Sequence, residues 1–253
     1  MRKHLFCILG IGLALTVGGC GGSGNSDSPS PTPTTQVPID PNLEVPVQAA
    51  FAHIVNNGFN QSFTISGWID QSTGVNPIPP TPITGSGHLT LGTAVGATVC
   101  SFAALAATEV VTGTTIANGV STPFATTGTI YYRSDNTTLA TYSAGELFLY
   151  SPYAYPATVR AGNTGSTGNG TKVVDPNCTQ TRLTSTGAYT VASDGATSLL
   201  VTFITDKKNP FTSAEDKTST VYRIDTKGNV SLVSITALTS FLGSVYQTLI
   251  FTF

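Results

Sequence analysis

Charged side chains are scarce in this chain: only 9% of its 253 residues are Asp, Glu, Lys or Arg, and only three are His. The net charge of −2 offers no basic patch that could neutralise a phosphate backbone, so nucleic-acid binding is disfavoured. A hydrophobic content of 40% with so little charge also differs from the composition of disordered chains. The composition favours extended strands whose exposed faces carry hydroxyl groups in place of ions.

The sequence has few of the residues that recur in catalytic and metal-binding motifs. After the N-terminal residues its histidines are His53 and His88, and neither has a second metal ligand at a known motif spacing. Gly85-Ser86-Gly87 lacks the outer glycines of the Gly-x-Ser-x-Gly nucleophile elbow, and there is no Ser-x-x-Lys motif. We therefore expect no metal ion and no cofactor, and we assign no catalytic residue.

The carboxylates are also dispersed along the chain. Asp70, Glu109 and Glu146 are far apart in the sequence, and their spacing predicts no pair that flanks a glycosidic bond. An envelope hydrolase with a site assembled from such scattered residues stays as the alternative to a non-enzymatic protein. Three polar residues that meet in one pocket, with His53 or His88 among them, would favour that alternative.

The N-terminus has the pattern of a secretory signal peptide. Residues 2–4 are basic, residues 5–17 form an apolar run, and the small pair Gly18-Gly19 ends it. The run is shorter than the roughly 20 residues that a membrane-spanning helix needs. We predict that residues 1–19 are an export signal that is removed from the mature protein.

The end of this segment, Val17-Gly18-Gly19-Cys20, resembles the lipobox of bacterial lipoproteins. The resemblance implies that the Cys20 thiol receives a diacylglycerol, that the chain is cut before Cys20, and that the new amino group is acylated. Several acyl chains hold a protein stably at a membrane, whereas one chain alone binds only marginally. Gly21 replaces the Asp associated with inner-membrane retention in enteric bacteria, so the outer membrane is favoured. The alternative is an ordinary secretory signal with a chance cysteine.

Two segments follow the signal. Residues 20–38 are rich in Gly, Ser and Pro and have no apolar periodicity, which predicts a flexible tether behind the lipidated cysteine. Residues 39–253 form one domain that is long enough to bury a sizeable core. Removing Arg2 and Lys3 with the signal leaves nine basic and 13 acidic residues, a net charge of −4.

The four cysteines divide between these segments. Cys7 leaves with the signal and Cys20 carries lipid, so Cys100 and Cys178 remain in the domain. In an oxidising periplasm such a pair is expected to form a disulfide. Two buried thiols that never meet are the alternative.

One segment of the domain has the signals of a helix. Residues 47–56 are rich in Ala, follow Pro46 and precede Asn57-Gly58, so we predict a short helix whose apolar face packs on a sheet. That face comprises Ala50, Phe51, Ile54 and Val55.

From residue 59 onward, apolar and polar residues alternate, as in Phe63-Thr64-Ile65-Ser66, which is typical of half-buried strands. Asn118-Gly119, Asp194-Gly195 and Lys227-Gly228 are hairpin signals. We expect about ten to twelve strands joined mainly by short turns, without strand–helix alternation or internal repeats. The pattern predicts a single all-β domain, either an antiparallel β-sandwich or a barrel.

Three details of this assignment depend on local composition. Residues 99–116 read as one long β-prone run, and the glycine-rich residues 162–170 read as a surface loop. The last strand, residues 245–253, faintly resembles the closing strand of outer-membrane barrels, but Gln247 interrupts its apolar face. We expect the last strand to pack in the domain core.

The most aromatic stretch, residues 148–156, is the best candidate for a binding surface. Tyrosines give amphipathic contact area at low entropic cost, and the prolines in the stretch restrict its backbone. We therefore select Tyr150, Tyr153 and Tyr155 as a possible binding surface. In the alternative interpretation, the inward side chains of this stretch are core residues and the rest is an ordinary connection.

Several pieces of the domain look similar to uncharacterised lipoproteins of proteobacteria, a group with no assigned activity. They are Tyr131-Tyr132, residues 155–159, residues 221–225 and Gly228-Asn229. The resemblance implies a membrane-attached envelope protein and no particular mechanism. Our leading hypothesis is a non-enzymatic lipoprotein that binds another envelope component, either protein or glycan. A structural or assembly factor of the outer membrane is a third interpretation.

Overall fold

A computed structural model of the chain describes residues 6–8, 11–13, 40, 42–70, 79–173, 178–208, 214–241 and 244–253. The expected lipidation site Cys20 and the tether at residues 20–38 lie outside these ranges. So does most of the expected signal. Within that signal the structure describes two short strands, β1 (Phe6–Ile8) and β2 (Ile11–Leu13), which pair antiparallel with each other.

One helix and one large sheet make up the described part of the domain. The helix, α1, spans Val47–Asn57. In chain order the strands of the sheet are β3 (Phe59–Ile69), β4 (Thr81–Leu91), β5 (Val95–Val99), β6 (Phe102–Ala117), β7 (Val120–Tyr132), β8 (Thr138–Ser143), β9 (Glu146–Tyr150), β10 (Thr164–Val173), β11 (Gln180–Ser193), β12 (Ser198–Lys208), β13 (Ala214–Asp225), β14 (Val230–Phe241) and β15 (Ser244–Thr252).

The sheet closes on itself as a barrel. Its strands follow the order β4-β3-β15, then backwards in sequence from β14 to β5, and neighbouring strands are antiparallel. Strand β4 also pairs with β6, from Ile83 opposite Ala117 to Leu91 opposite Glu109, and this ladder joins the two edges. The expectation of an all-β domain with one short helix is confirmed, and of the two architectures it is the barrel that forms.

Over the residues that the structure describes, the sheet has 13 strands, one more than the upper end of the predicted ten to twelve, and one reason is that residues 99–116 are not one run. The chain turns at Cys100 and Ser101, which both have positive φ angles of 51° and 63°. Two successive residues with positive φ fit the twist of a two-residue hairpin, but Asn and Gly are the usual residues there. The predicted turn at Asn118-Gly119 has this usual composition, with φ angles of 51° and 75°.

Residues 164–170 of the predicted surface loop instead belong to strand β10, which corrects most of that prediction. Strand β10 pairs with β9 and β11, with Gly170 opposite both Tyr150 and Ser185. A Cβ atom at Gly170 would lie 2.7 Å from a ring carbon of Tyr150. A side chain at this position would clash with the ring of Tyr150, so the position requires glycine. Aromatic rings of a neighbouring strand that cover a glycine are known to stabilise sheets.

Apolar side chains fill the barrel interior along alternate positions of the strands. On β12, Leu199 and Val201 have no exposed surface, and on β15, Leu249 and Phe251 are buried. The intervening positions are more exposed and many carry hydroxyls, as at Thr190 of β11. This alternation is the expected pattern of a strand with one buried face, and it places the last strand in the core.

Helix α1 lies at one end of the barrel. It follows Pro46 and ends at Gly58, whose φ of 64° is in the left-handed region and whose N–H donates to the Ile54 carbonyl at 2.7 Å. Its buried face includes the predicted residues Ala50, Phe51, Ile54 and Val55. In the part of the chain that the structure describes, no helix is long and apolar enough to cross a membrane.

The hairpin β5–β6 is fastened to the connection between β10 and β11. Cys100 at its tip is joined to Cys178 by a disulfide, with the two Cα atoms 5.5 Å apart. Beside it lies a second apolar cluster, separate from the main core. Its buried members are Val99, Ala104, Leu139 and Ala140. The disulfide expected from the cysteine count is thus present, and it ties together segments separated by 78 residues.

Candidate ligand-binding cavity

A cavity of about 110 Å³ lies inside the barrel beneath helix α1. Its wall combines aromatic rings, one carboxyl group and several threonines, contributed by the helix and by strands from most of the barrel. The side chains that determine its chemistry are Phe51, Glu109, Tyr132, Tyr155, Phe203 and Tyr222. A concave, mainly apolar site with a few convergent polar groups is the usual form of a small-molecule site.

The aromatic wall is built around Phe51, which the predicted apolar face of α1 directs into the barrel. Its ring stacks on Tyr155, with the centroids 4.7 Å apart and the planes 15° from parallel. It also makes edge contacts with Phe203 on β12 at 5.0 Å and with Tyr222 on β13 at 5.5 Å. These are the offset and edge-to-face geometries that aromatic pairs prefer, so the wall is well packed.

The three tyrosines selected from the sequence all line this cavity and do not form an exposed patch. Tyr155 has only 8% of its surface exposed, and Tyr150 and Tyr153 are half-buried. The cause is the path of residues 151–163, which cross from β9 to β10 at the end of the barrel that α1 occupies. Val159 in this connection pairs with Val45 just before the helix, with both N–H···O distances 3.0 Å.

The tyrosine hydroxyls form a short polar chain at the edge of the cavity. The Tyr153 and Tyr155 hydroxyls are 3.0 Å apart, and the Thr138 backbone N–H donates to the Tyr153 hydroxyl at 3.0 Å. The Tyr150 hydroxyl lies 3.4 Å from the Thr141 hydroxyl. The three tyrosines selected from the sequence thus come together at the wall of the cavity.

Glu109 is the unusual group in the cavity. It is the only charged residue of β6, points inward between the buried residues Ala107 and Val111, and is 1% exposed. Neither of its carboxylate oxygens has a hydrogen-bond partner among the described residues. Burial raises the pKa of this carboxyl well above the usual value of 4.5. A buried carboxylate without a partner is strongly unfavourable, so burial favours the protonated form of Glu109.

Burial also raises the pKa values of neighbouring phenols. For Tyr222 the main cause is burial, and the negative charge that Glu109 can carry raises the pKa further. The pKa of Tyr132 is raised for the same main reason, with smaller contributions from Tyr222 and Glu109. Both phenols therefore stay neutral.

Lys207 brings a second ionisable group to the cavity wall. Its ammonium group lies over the ring of Phe148, with Nζ 4.4 Å from the ring centroid. That is a favourable cation–π position. Lys207 is not a hydrogen-bond partner of Glu109, since neither Glu109 oxygen has one.

His53 and His88 do not line this cavity, and His53 lies at a separate pocket of about 250 Å³ with the polar residues Asn60, Gln61 and Ser231. His88 is on the outer face of β4, where Nδ1 is 3.2 Å from the Ser62 hydroxyl and Nε2 contacts Asn60. This line of side chains includes no carboxylate. His53 is on the exposed side of α1, 3.2 Å from the Asn57 amide. Over the described ranges, no group of three or more His, Cys, Asp and Glu residues could hold a metal ion.

Comparison with known proteins leaves the cavity as the main source of functional information, because no family model, no curated protein and no solved structure matches the chain.

One sequence signal could have identified Glu109. It is a lone acidic residue at an inward position of an otherwise uncharged strand, and a charge at such a position calls for an explanation.

Proposed function

We propose that this protein is a lipid-anchored component of the bacterial cell envelope whose barrel binds a small molecule in its interior and has no enzymatic role. Cys20 carries the anchor, residues 20–38 are the tether, and Gly21 favours the outer membrane. The lipobox resemblance supports the anchor. The cavity beneath α1 supports the binding role and makes an internal ligand a better candidate than an envelope protein or glycan at the tyrosines.

The observation that carries the binding role is the composition of the cavity wall. Aromatic rings supply apolar contact area, while Glu109 and the tyrosine hydroxyls supply a few polar groups that could orient a ligand. The described lining contains neither His nor Cys. Histidine, the commonest general base of hydrolases, therefore does not line the cavity with Glu109, which supports binding over the hydrolase alternative at this site.

Thermal unfolding of the purified protein with small aromatic probes tests the binding role. We use benzyl alcohol, benzylammonium and benzoate at millimolar concentrations, which share one ring and differ in charge. A ligand that binds only the folded state stabilises it by about 2.7 kcal/mol at one hundred times its Kd, so at least one probe should raise the melting temperature.

A cavity-filling variant locates the binding. Thr218 is buried on the cavity wall, so Thr218→Leu should reduce the shift, whereas Thr190→Leu on the outer face of β11 should not. The binding role would be refuted if none of the three probes raised the melting temperature.

Membrane fractionation tests the anchor. Cys20→Ala should abolish incorporation of labelled fatty acid and release the protein from the membrane fraction, because the acyl chains supply the membrane affinity. Ser23→Ala, three residues further on, is the matched control and should behave like the wild type. Continued acylation or membrane retention of Cys20→Ala would contradict the proposed anchor.

A further inference from the structure

We infer that the ligand of the cavity is a small organic cation, whose ammonium group pairs with Glu109 and whose apolar part lies against the aromatic rings around Phe51. This inference rests on the proposed function, since it assumes that the cavity binds a small molecule, and it adds the chemical class of that molecule.

The first support is the state of Glu109. Its side chain is buried, faces the cavity and has two oxygens without a hydrogen-bond partner among the described residues. Buried polar groups in proteins nearly always have hydrogen-bond partners, so a buried carboxyl group without one indicates a partner from outside the chain. An ammonium group is the partner that satisfies both the charge and the hydrogen-bonding capacity of a carboxylate.

The second support is the aromatic surface beside the carboxyl group. Phe51, Tyr155, Phe203 and Tyr222 line the same cavity as Glu109. The faces of aromatic rings carry partial negative charge and attract ammonium groups, with the largest effect where water is excluded. The rings and the carboxyl group of Glu109 therefore favour the same kind of ligand.

The volume of the cavity limits the size of the cation. At about 110 Å³ it is slightly smaller than an engineered protein cavity of about 150 Å³ that binds benzene. One ring, or a short alkyl chain of similar bulk, is the appropriate apolar part. Benzylammonium, with a single ring and one ammonium group, is the probe of this class.

Proton release follows from this pairing. Without ligand, burial holds the pKa of Glu109 above its usual value, and a bound ammonium group would lower that pKa. Below the raised pKa, binding should therefore expel a proton from Glu109. Among the described residues, the other titratable groups that line the cavity are Lys207 and the phenols of Tyr132, Tyr150, Tyr153, Tyr155 and Tyr222.

Isothermal titration calorimetry tests the inference with the same three probes. Benzylammonium should bind more tightly than benzyl alcohol, and repeating the titration in buffers of different ionisation enthalpy should show release of up to one proton. Glu109→Gln should weaken benzylammonium binding by about 30-fold or more, the lower limit for removing one partner of a buried charge pair. Glu146→Gln, which removes a carboxylate bonded to Lys172 away from the cavity lining, should leave binding unchanged.

The remaining outcomes separate the two proposals. Equal binding of benzyl alcohol and benzylammonium, or tighter binding of benzoate, would overturn the cation inference and leave the binding role intact. The same conclusion would follow if wild-type protein bound benzylammonium without proton release, a result that does not depend on how the variant folds. Failure of all three probes to bind would overturn both proposals.

Discussion

The ring of Phe51 in helix α1 stacks on the ring of Tyr155 in the connection between β9 and β10, with the centroids 4.7 Å apart. Two segments that are distant in sequence thereby meet across one end of the barrel. The contact also forms part of the cavity wall, because both rings line it. The same pair thus links the stability of the barrel end to the shape of the candidate site.

Phe51→Ala should destabilise the protein by about 3–5 kcal/mol, the usual cost of removing a buried Phe side chain. Urea denaturation would measure the change in the free energy of unfolding. Asn56→Ala, on the exposed side of the same helix, is the control and should change stability by no more than about 0.5 kcal/mol. Similar stability of Phe51→Ala and the control would show that α1 does not hold the barrel end.

Loss of the disulfide should cost about 4–5 kcal/mol, because the bond closes a loop of 78 residues in the unfolded chain. Denaturation of Cys100→Ser, Cys178→Ser and the double variant would measure this cost. The two single variants should lose similar stability, and the double variant should lose little more. If the two single losses simply added, the cysteines would act independently and the bond would not exist.

Glu109 should make the protein less stable as the pH rises. Because its pKa is raised in the folded state, the unfolded state releases the proton first, starting near the usual value of 4.5. Stability should then fall by up to about 1.4 kcal/mol per pH unit until the pH passes the folded-state pKa.

The comparison with Glu109→Gln isolates this effect from other titrating groups. The difference in unfolding free energy between variant and wild type should grow in favour of the variant as the pH rises above 4.5. Parallel stability curves for the two proteins over this range would contradict the raised pKa.

Gly170→Ala should destabilise β10 by about 1–3 kcal/mol, the usual cost of overpacking. The new methyl group would lie 2.7 Å from a ring carbon of Tyr150. Gly96→Ala on β5 is the matched control, since no atom lies within 4 Å of the corresponding position. Equal unfolding free energies of the two variants would show that the tyrosine ring does not constrain Gly170.

The sequence predicted the features of the fold that depend on local pattern. Two-residue alternation indicated the strands, and Asn118-Gly119 indicated a turn because both residues tolerate positive φ. Cys100-Ser101 turns in the same way without such residues, so the hairpin was missed. Strand β10 was missed because its glycines leave room for the tyrosine rings of neighbouring strands. This contact forms only when the strands pair.

The candidate site was only partly predictable for a similar reason. Tyr150, Tyr153 and Tyr155 were selected for their aromatic density, but closure of the sheet decides whether a side chain faces solvent or the interior. The importance of Glu109 depends on neighbours from β7, β12, β13 and α1, which are brought together by strand order and not by spacing in the sequence.

The titration of the Glu109 carboxyl group, followed by carbon-13 NMR with and without saturating benzylammonium, tests whether an organic cation pairs with this group in the cavity. Glu109→Gln identifies the signal by its disappearance. We predict a pKa above 4.5 for Glu109 in the free protein and a clearly lower pKa in the complex. If Glu109 titrated at or below 4.5 in the free protein, or if benzylammonium left its titration unchanged, Glu109 would not pair with an organic cation in the cavity.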